Sequence, residues 1–318
     1  MNNNIADNQQ KAVEEMIMEI ARQVPGIGNA TAGAIAADFD GDLQAFLSAD
    51  AVRLSKLQKS NGRQQMSGDI VAALIEAKSQ IPNNLSIQET WVFYLGRKFL
   101  KTQLEMVSKL NFQDFDINPL LAKALSLDTP RKVIAFNVYQ TITRSIVTSW
   151  GYTVQDLAKN VGVCEENDYK GSVGNNFDLV KRLSNFDYYI QVKSGPNDMN
   201  VGMVTSLNRE IAGLERSKPG SKAILGMTYG TRSRISKQIL GNLLGGSDRM
   251  KVGRELWDFL SERKDFHKDL FRLLDDASRG LLNNSFIELI EAKIKELEDY
   301  WIQNNMGKSL DDVLETFI

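Results

Sequence analysis

Hydrophobic positions recur with helical spacing along most of the chain and alternate only in its middle. Spacings of three and four place Met203, Leu207, Ile211 and Leu214 on one side of a helix over residues 201–215. The same spacing predicts helices over further stretches, at residues 87–110, 130–147 and 289–301, and a long amphipathic helix that begins at residue 253. Helices are therefore expected on both sides of a short β-rich middle.

The β-prone stretches begin shortly after residue 175. Residues 177–180 alternate between apolar and polar, a turn follows at 184–185, and residues 187–193 form a second strand. Residues 223–230 form a continuous apolar run, which is typical of a buried strand. We expect an antiparallel hairpin, then a helix and a further strand, which indicates an α/β (α+β) fold.

The N-terminal region breaks between two helical stretches at Val-Pro-Gly-Ile-Gly, residues 24–28. Glycines permit a tight turn, and a helix that restarts at once presents backbone N–H groups that bind phosphate. The segment resembles the helix-hairpin-helix motif, which implies that Gly26, Gly28 and Asn29 contact the DNA backbone. A degraded second copy is expected over residues 54–77. The alternative for both copies is an ordinary αα-hairpin.

Two domains are predicted. Residues 79–86 contain a proline and two asparagines, as is typical of a linker. We expect an all-α helix-hairpin-helix DNA-binding domain over residues 1–80 and a second domain over residues 87–318.

Scarce residue types exclude several kinds of site. The 318 residues include one cysteine and one histidine, so a disulfide framework, a zinc finger and a His-pair metal site are excluded. The N-terminus is polar, and no apolar run approaches the roughly 20 residues of a membrane span. A cytoplasmic protein without a membrane partner is therefore expected.

The net charge of −2 conceals an uneven distribution of charged residues. Residues 216–254 contain nine lysines and arginines and one acidic residue, residues 53–63 contain four basic residues, and the last sixty residues are rich in Glu and Asp. Such segregation suits a protein that grips a polyanion with one face. The alternative is that these lysines and arginines are simply solvated.

The predicted hairpin carries residues suited to phosphodiester hydrolysis. Gln191 and Lys193 share a face of one strand, and Asp178 on the neighbouring strand can reach that face. This arrangement resembles the PD-(D/E)XK nuclease core. The resemblance implies that Asp178, Gln191 and the carbonyl of Val192 hold Mg²⁺, which polarises the scissile phosphate and acidifies a water. Lys193 would orient that water or stabilise charge developing on the phosphate.

The chain departs from this pattern at Gln191, where the family usually has Asp or Glu. An amide oxygen can bind Mg²⁺ but brings no charge, so a second carboxylate is expected from elsewhere. Our choice is Asp156, at the end of a predicted loop, 148–156, that enters a helix. This segment resembles a helix that carries an acidic residue into the active site of several restriction enzymes. Three alternatives remain open: Glu165, Glu166 and Glu210.

The residues after the lysine strand extend the resemblance. A basic loop with hydroxyl groups lies at 231–237, and the sequence Gly-Arg-Glu-Leu-Trp begins a helix at 253–257. The order of these elements resembles type II restriction endonucleases that recognise GGNCC-like palindromes, over roughly residues 118–280. The resemblance implies a PD-(D/E)XK restriction-endonuclease-like core, with a mixed sheet flanked by helices.

A type II restriction endonuclease cuts both strands of double-stranded DNA at a specific sequence. The resemblance implies a homodimer that matches a palindromic site, and a cognate DNA methyltransferase as functional partner. Arg232 and Arg234 are expected to read bases, and the alternative is that they contact phosphate only. The expected DNA contacts of this domain are Ser194, Asn197, Thr231, Arg232, Ser233, Arg234 and Lys237.

Three other functions remain open. A DNA repair or junction nuclease also combines a helix-hairpin-helix region with a nuclease core, and it would prefer DNA structure to sequence. A non-catalytic DNA-binding protein would have a decayed site marked by Gln191. A purely structural helical protein would leave the basic residues at 216–254 unexplained.

Overall fold

The structure is a computed structural model that describes residues 2–57, 65–170, 177–196, 198–282 and 285–318, with only the main chain of residues 2–6. The chain divides into two compact units. The first contains residues 1–95 and 154–274, and the second contains residues 96–153 and 275–318. Since the first unit combines the N-terminal helices with the sheet, the domain boundary between residues 80 and 87 stays a prediction.

Helices account for most of the described elements. The α-helices are α1 (Asn2–Arg22), α2 (Asn29–Asp38), α3 (Leu43–Ser48), α4 (Ala51–Ser55), α5 (Gly68–Ser79), α6 (Ile87–Lys109), α7 (Pro119–Ala124), α8 (Pro130–Val161), α9 (Val201–Ser217), α10 (Lys237–Asn242), α11 (Arg254–Ser261), α12 (Phe266–Arg279), α13 (Phe286–Asn304) and α14 (Leu310–Glu315). Short 3₁₀ helices lie at Phe112–Asp114, Arg232–Arg234 and Gly246–Arg249.

The sheet of the first unit is mixed, as the sequence predicted. Its strands are β1 (Glu165–Glu166), β2 (Leu179–Arg182), β3 (Asp187–Lys193), β4 (Ser221–Met227) and β5 (Met250–Val252), and they lie side by side in that order. The pairs β1–β2 and β2–β3 are antiparallel, whereas β3–β4 and β4–β5 are parallel. The parallel step from β3 to β4 uses α9 as its crossover helix.

One face of the sheet is covered by α9. Tyr189 of β3 is paired with Val180 of β2 and with Ala223 of β4, and side chains at paired positions share a face. All three side chains belong to one buried core with Leu207 and Ile211 of α9. The crossover helix therefore packs its apolar side on this face.

The opposite face is covered by the end of α8 and by α11. Lys181 of β2 projects to this face, and its ammonium donates to the carbonyls of Gly162 (2.9 Å) and Leu260 (3.0 Å). A Cβ added at Gly226 of β4 would lie 2.9 Å from a methyl group of Leu256. The absence of a side chain at this glycine lets α11 approach the sheet closely.

The second unit is helical. Its core joins α6, α7, α8, α13 and α14 through buried side chains that include Val107, Ile134, Ile294 and Trp301. The loop predicted over residues 148–156 is wrong, because α8 runs without interruption from Pro130 to Val161. Trp150 packs edge-on against Phe99, with ring centroids 5.1 Å apart, and this packing outweighs the low helix propensity of the glycine that follows.

Two other predicted elements have different boundaries. The first strand of the hairpin begins at Leu179 rather than at residue 177. The long helix expected from residue 253 is two helices, α11 and α12, because Glu262 and Asp265 adopt positive φ angles of 57° and 63°. Neither backbone conformation can continue a helix. Across the described residues we find no helix with the length and apolar character that a membrane span requires.

The N-terminal helices pack against one another in the first unit. α1 lies against α2, α3 and α5, and the side chains of Ile17, Ile20 and Ile35 are fully buried. The indole N–H of Trp91 donates to the carbonyl of Ala12 at 3.3 Å. The predicted helix, turn and helix over residues 11–36 are therefore present as α1 and α2.

Candidate active site

Asp178 is held opposite Gln191 by two hydrogen bonds to the neighbouring strand. Its backbone N–H donates to the carbonyl of Ile190 at 2.8 Å, and its carboxylate accepts from the backbone N–H of Val192 at 2.6 Å. The register of β2 and β3 pairs Leu179 with Ile190, so Asp178, which precedes β2, faces Gln191 of β3. Two sequence-predicted residues are thereby brought together.

Gln191 and Lys193 project from β3 on the face that α9 covers. They alternate with Val192 and share the side of Tyr189, which belongs to the core beneath α9. Gln191 is buried, and Lys193 is half-buried at the end of the strand. Asp178 is held next to them by its hydrogen bond to Val192, so three of the predicted catalytic residues lie at one end of the sheet.

The Asp178 carboxyl lies in a desolvated environment. Burial raises its pKa above the ordinary value of 3.8, although the N–H of Val192 and the ammonium of Lys193 both act to lower it. The influence of Lys193 on this pKa places its charge near the carboxylate. A buried carboxylate that is only partly compensated favours a bound cation.

Glu210 of α9 brings a second carboxylate to the same face. Its side chain is 1% exposed, between Leu207 and Ile211, which pack on the sheet. A charged residue is almost never buried to this extent unless it is paired or bound to a metal. Among the residues named from the sequence, Glu210 is the carboxylate that α9 turns toward the face of Gln191 and Lys193.

The other acidic candidates have different surroundings. Asp156 is exposed on α8, and its carbonyl accepts from the amide of Asn160. Glu165 accepts from Arg182 at 2.9 Å, and Glu166 lies 3.4 Å from the ammonium of Lys159. Since the end of α8 packs on the opposite face of the sheet, a role for Asp156 at the metal stays a prediction.

The oxygen atoms of this site fit a hard divalent cation. The N–H and C=O of a strand residue point to the same side, so the carbonyl of Val192 faces Asp178 as its N–H does. A carboxylate, an amide oxygen and a carbonyl are ligands that Mg²⁺ accepts. Within the described ranges, no group of three or more His, Cys, Asp or Glu side chains is close enough to hold a metal. The amide of Gln191 stays a predicted ligand.

The basic loop after β4 lies beside the exit of β3. Thr231, Arg232, Ser233, Arg234 and Lys237 are exposed, as a DNA-contacting loop requires. Arg232 donates to the carboxylate of Glu255 through Nε at 3.0 Å, and to the carbonyls of Ser247 and Met250. Its guanidinium thus bonds the loop to neighbouring segments of the chain, and base readout by Arg232 stays a prediction.

Other predicted DNA contacts are placed less completely. Arg234 makes no ion pair with any residue that the structure describes, and its guanidinium is exposed. The carbonyl of Ser194 accepts from the hydroxyl of Thr228 at 2.7 Å. Asn197 lies outside the described residues.

The N-terminal hairpin has an exposed turn. Gly26, Gly28 and Asn29 are exposed, and Gly26 has a φ of +89° that a side chain would disfavour. Gly28 precedes α2 and provides no side-chain cap. The first N–H groups of a helix have no partner within it, so this turn presents donors to the surface. DNA contact at this turn stays a prediction.

Sequence reasoning missed Tyr229, which follows β4 and whose ring lies against Gly195. It also gave no weight to Glu255, the partner of Arg232. A tyrosine followed by glycine at the end of a buried strand was the available signal for the first. The pairing of Arg232 with Glu255 joins residues 23 positions apart, and no local pattern reveals it.

A mixed sheet with an Asp facing a Gln-x-Lys strand beneath a crossover helix defines a nuclease with a restriction-endonuclease-like fold. Residues 89–280, more than half of the chain, match the family described as type II restriction endonuclease EcoO109I, and the chain belongs to this family. It is therefore a site-specific deoxyribonuclease that binds and cuts DNA. Enzymes of this family generally use divalent metal ions. A search among curated proteins finds no match to the chain.

Proposed function

We propose that the chain cuts both strands of double-stranded DNA by Mg²⁺-dependent hydrolysis. The observation that carries the proposal is the hydrogen bond from Val192 to the Asp178 carboxylate, which fixes Asp178 opposite Gln191 beside Lys193. A Mg²⁺ ion bound there would polarise the scissile phosphate and acidify the attacking water. The chain supplies its oxygen ligands and orients the phosphate.

The proposed ligands are the carboxylate of Asp178, the amide oxygen of Gln191 and the carbonyl of Val192. We propose Glu210 as the second carboxylate, since α9 buries it over the face that carries Gln191. Asp156 was our choice from the sequence, and it remains the alternative to be tested. A carboxylate on α9 would restore the charge that Gln191 does not supply.

Lys193 is proposed to act on the phosphate undergoing hydrolysis. Its ammonium is close enough to lower the pKa of Asp178, and it is half-buried at the strand end. A fixed positive charge at this position stabilises negative charge that develops on the phosphate oxygens. The contribution of Lys193 is thus expected mainly in the rate of cleavage and less in DNA affinity.

The function is tested by incubating the purified chain with phage DNA, with Mg²⁺ or with EDTA. Discrete fragments that form only with Mg²⁺ support the proposal, and sequencing their ends gives the recognition site. Lys193→Ala is expected to lower the cleavage rate by at least about 100-fold while DNA binding persists. Cleavage restricted to branched DNA would favour the structure-specific nuclease instead, and no cleavage would favour a decayed binding protein.

The same assay separates the two candidate carboxylates. Glu210→Gln removes the buried charge and is expected to raise the Mg²⁺ concentration needed for half-maximal cleavage by tenfold or more. Asp156→Asn is a matched change at an exposed position of α8, and it is expected to leave that concentration unchanged. The reverse result would identify Asp156 as the second carboxylate ligand and exclude Glu210 from that role.

We further propose a homodimer that acts on a palindromic site, with a cognate DNA methyltransferase as functional partner. One active site cuts one strand, and a two-fold dimer presents two equivalent sites to a symmetric duplex. Methylation by such a partner would protect the host DNA. The exposed hairpin at Gly26 and Gly28 is proposed to add phosphate contacts to those of the nuclease core.

A further inference from the structure

Tyr229 lies two residues beyond Met227, the residue of β4 that pairs with Lys193. The backbone N–H of Thr228 donates to the carbonyl of Lys193 at 2.9 Å, and that of Tyr229 donates to the carbonyl of Ser194 at 3.2 Å. The chain exits of β3 and β4 thus continue side by side past the active site. Tyr229 is therefore in register with the residues that follow Lys193.

The tyrosine ring lies directly over Gly195. A Cβ built on this glycine would lie 2.5 Å from the Tyr229 hydroxyl oxygen, which is closer than any real contact. A side chain at position 195 would therefore displace the ring from this position. Gly195 follows Lys193 by two residues, so the ring lies next to the end of the lysine strand.

Hydrogen bonds and packing fix the backbone on both sides of Tyr229. The hydroxyl of Thr228 donates to the carbonyl of Ser194 at 2.7 Å, and the buried indole of Trp257 donates to the carbonyl of Thr228 at 2.8 Å. Gly230 has a φ of +98° and packs against Pro196. A side chain on such a support keeps its position when a ligand arrives.

Tyr229 is nevertheless largely exposed. Its side chain is 57% exposed, and no residue that the structure describes bonds to its hydroxyl. A solvent-facing tyrosine hydroxyl is a common donor to DNA phosphate oxygens. The neighbouring loop at 231–237 is basic, so the surroundings attract the DNA backbone.

We propose that the Tyr229 hydroxyl donates a hydrogen bond to a DNA phosphate beside the scissile one, and that Gly195 is required to leave it room. This contact positions the strand for cleavage. Tyr229 is a positioning residue and takes no part in bond breaking. The inference rests on the proposed function.

The test compares Tyr229→Phe with the wild-type chain on a duplex that carries the cleavage site mapped from the phage fragments. Loss of the hydroxyl is expected to lower single-turnover cleavage by about tenfold to a hundredfold, because the bond is made to a charged group. Tyr300→Phe removes an exposed hydroxyl in the other unit and is expected to cleave normally. Thermal denaturation is expected to be unchanged in both variants.

A methylphosphonate in place of the neighbouring phosphate identifies the contact directly. It is expected to slow the wild-type chain and to have little further effect on Tyr229→Phe. Gly195→Ala is expected to act like Tyr229→Phe, and the double variant to be no worse than either one.

Wild-type rates for Tyr229→Phe would overturn the inference. So would a defect seen in Tyr229→Ala but not in Tyr229→Phe, which would assign the ring to base stacking. A wild-type chain that cuts no DNA would overturn the proposed function together with this inference, and that result appears before any variant is made.

Discussion

Gln191 provides a neutral amide where the family usually has a carboxylate, so it removes one negative charge from the site. An amide in place of a carboxylate leaves Asp178 as the negatively charged residue that the hairpin contributes to the proposed ligand set. Coordination by an uncharged oxygen is weaker for a hard cation, so the proposed site depends more on a carboxylate from outside the hairpin. We propose that the buried carboxylate of Glu210 meets that need.

Asp178 is expected to lower the stability of the metal-free protein while making cleavage possible. Burial raises the pKa of its carboxyl above the ordinary value, so the folded chain binds the proton more tightly than the unfolded chain does. Stability therefore falls as the pH rises through the interval between the unfolded and folded pKa values, and the loss persists at pH 7. Asp178→Asn is expected to raise the denaturation midpoint in EDTA and to abolish cleavage.

Thermal denaturation with and without Mg²⁺ checks this expectation. Mg²⁺ is expected to raise the midpoint of the wild-type chain, because it binds only the folded site, and to have little effect on Asp178→Asn. A lower midpoint for the variant in EDTA would show that the carboxylate stabilises the metal-free fold.

At the scale of elements, the turn between α1 and α2 offers a site where stability and DNA affinity separate. Gly28 has a φ of −88°, and an added Cβ would meet nothing within 4 Å, so a larger residue fits there. Gly28→Asp and Gly28→Ser both provide a capping oxygen for α2. The aspartate also places a negative charge where we propose that phosphate binds.

Both Gly28 variants are expected to fold with a stability equal to the wild type or higher by a few tenths of a kcal/mol. The aspartate is expected to weaken DNA binding by about fivefold or more, whereas the serine is expected to change it little. Electrophoretic mobility shifts on non-specific duplex DNA at low salt measure this difference. Equal DNA affinities for the two variants would show that the segment is a structural αα-hairpin that does not contact DNA.

Elements differ in how well the sequence predicts them, for physical reasons. The sequence predicts the hairpin of β2 and β3, because alternation and a polar turn mark it locally, and the catalytic roles of its residues stay predictions. β1 and β5 have two and three residues, which is too short for any periodicity to show. In α8, the glycine at 151 indicated a break that the packing of Trp150 on Phe99 overrides.

The candidate site was predictable only in part for a related reason. Asp178, Gln191 and Lys193 lie within sixteen residues of one another, so spacing was enough to group them. Ranking Glu210 against Asp156 requires knowing which helix covers which face, and this follows from the register of three strands. The internal pairing of Arg232 likewise depends on folding of distant segments.

At the scale of the whole molecule, the proposed homodimer gives a mass prediction. The chain of 35.6 kDa is expected to sediment at about twice that mass, because double-strand cleavage needs one active site for each strand. Analytical ultracentrifugation, with and without a duplex carrying the mapped site, checks the stoichiometry. A monomer that remains monomeric on DNA, or a non-palindromic site, would contradict the two-fold arrangement.

The sheet also has consequences for how the molecule is made. Its strand order follows the chain, so each strand pairs with the next one to be synthesised, and the β2–β3 hairpin closes by a short loop. Hairpins of this kind form in microseconds, which brings Asp178 opposite Gln191 early in folding. Glu210 joins them only when α9 has crossed over the sheet. With the proposed ligand set, a nascent chain therefore completes its metal-binding site late, after the crossover helix α9 has packed on the sheet.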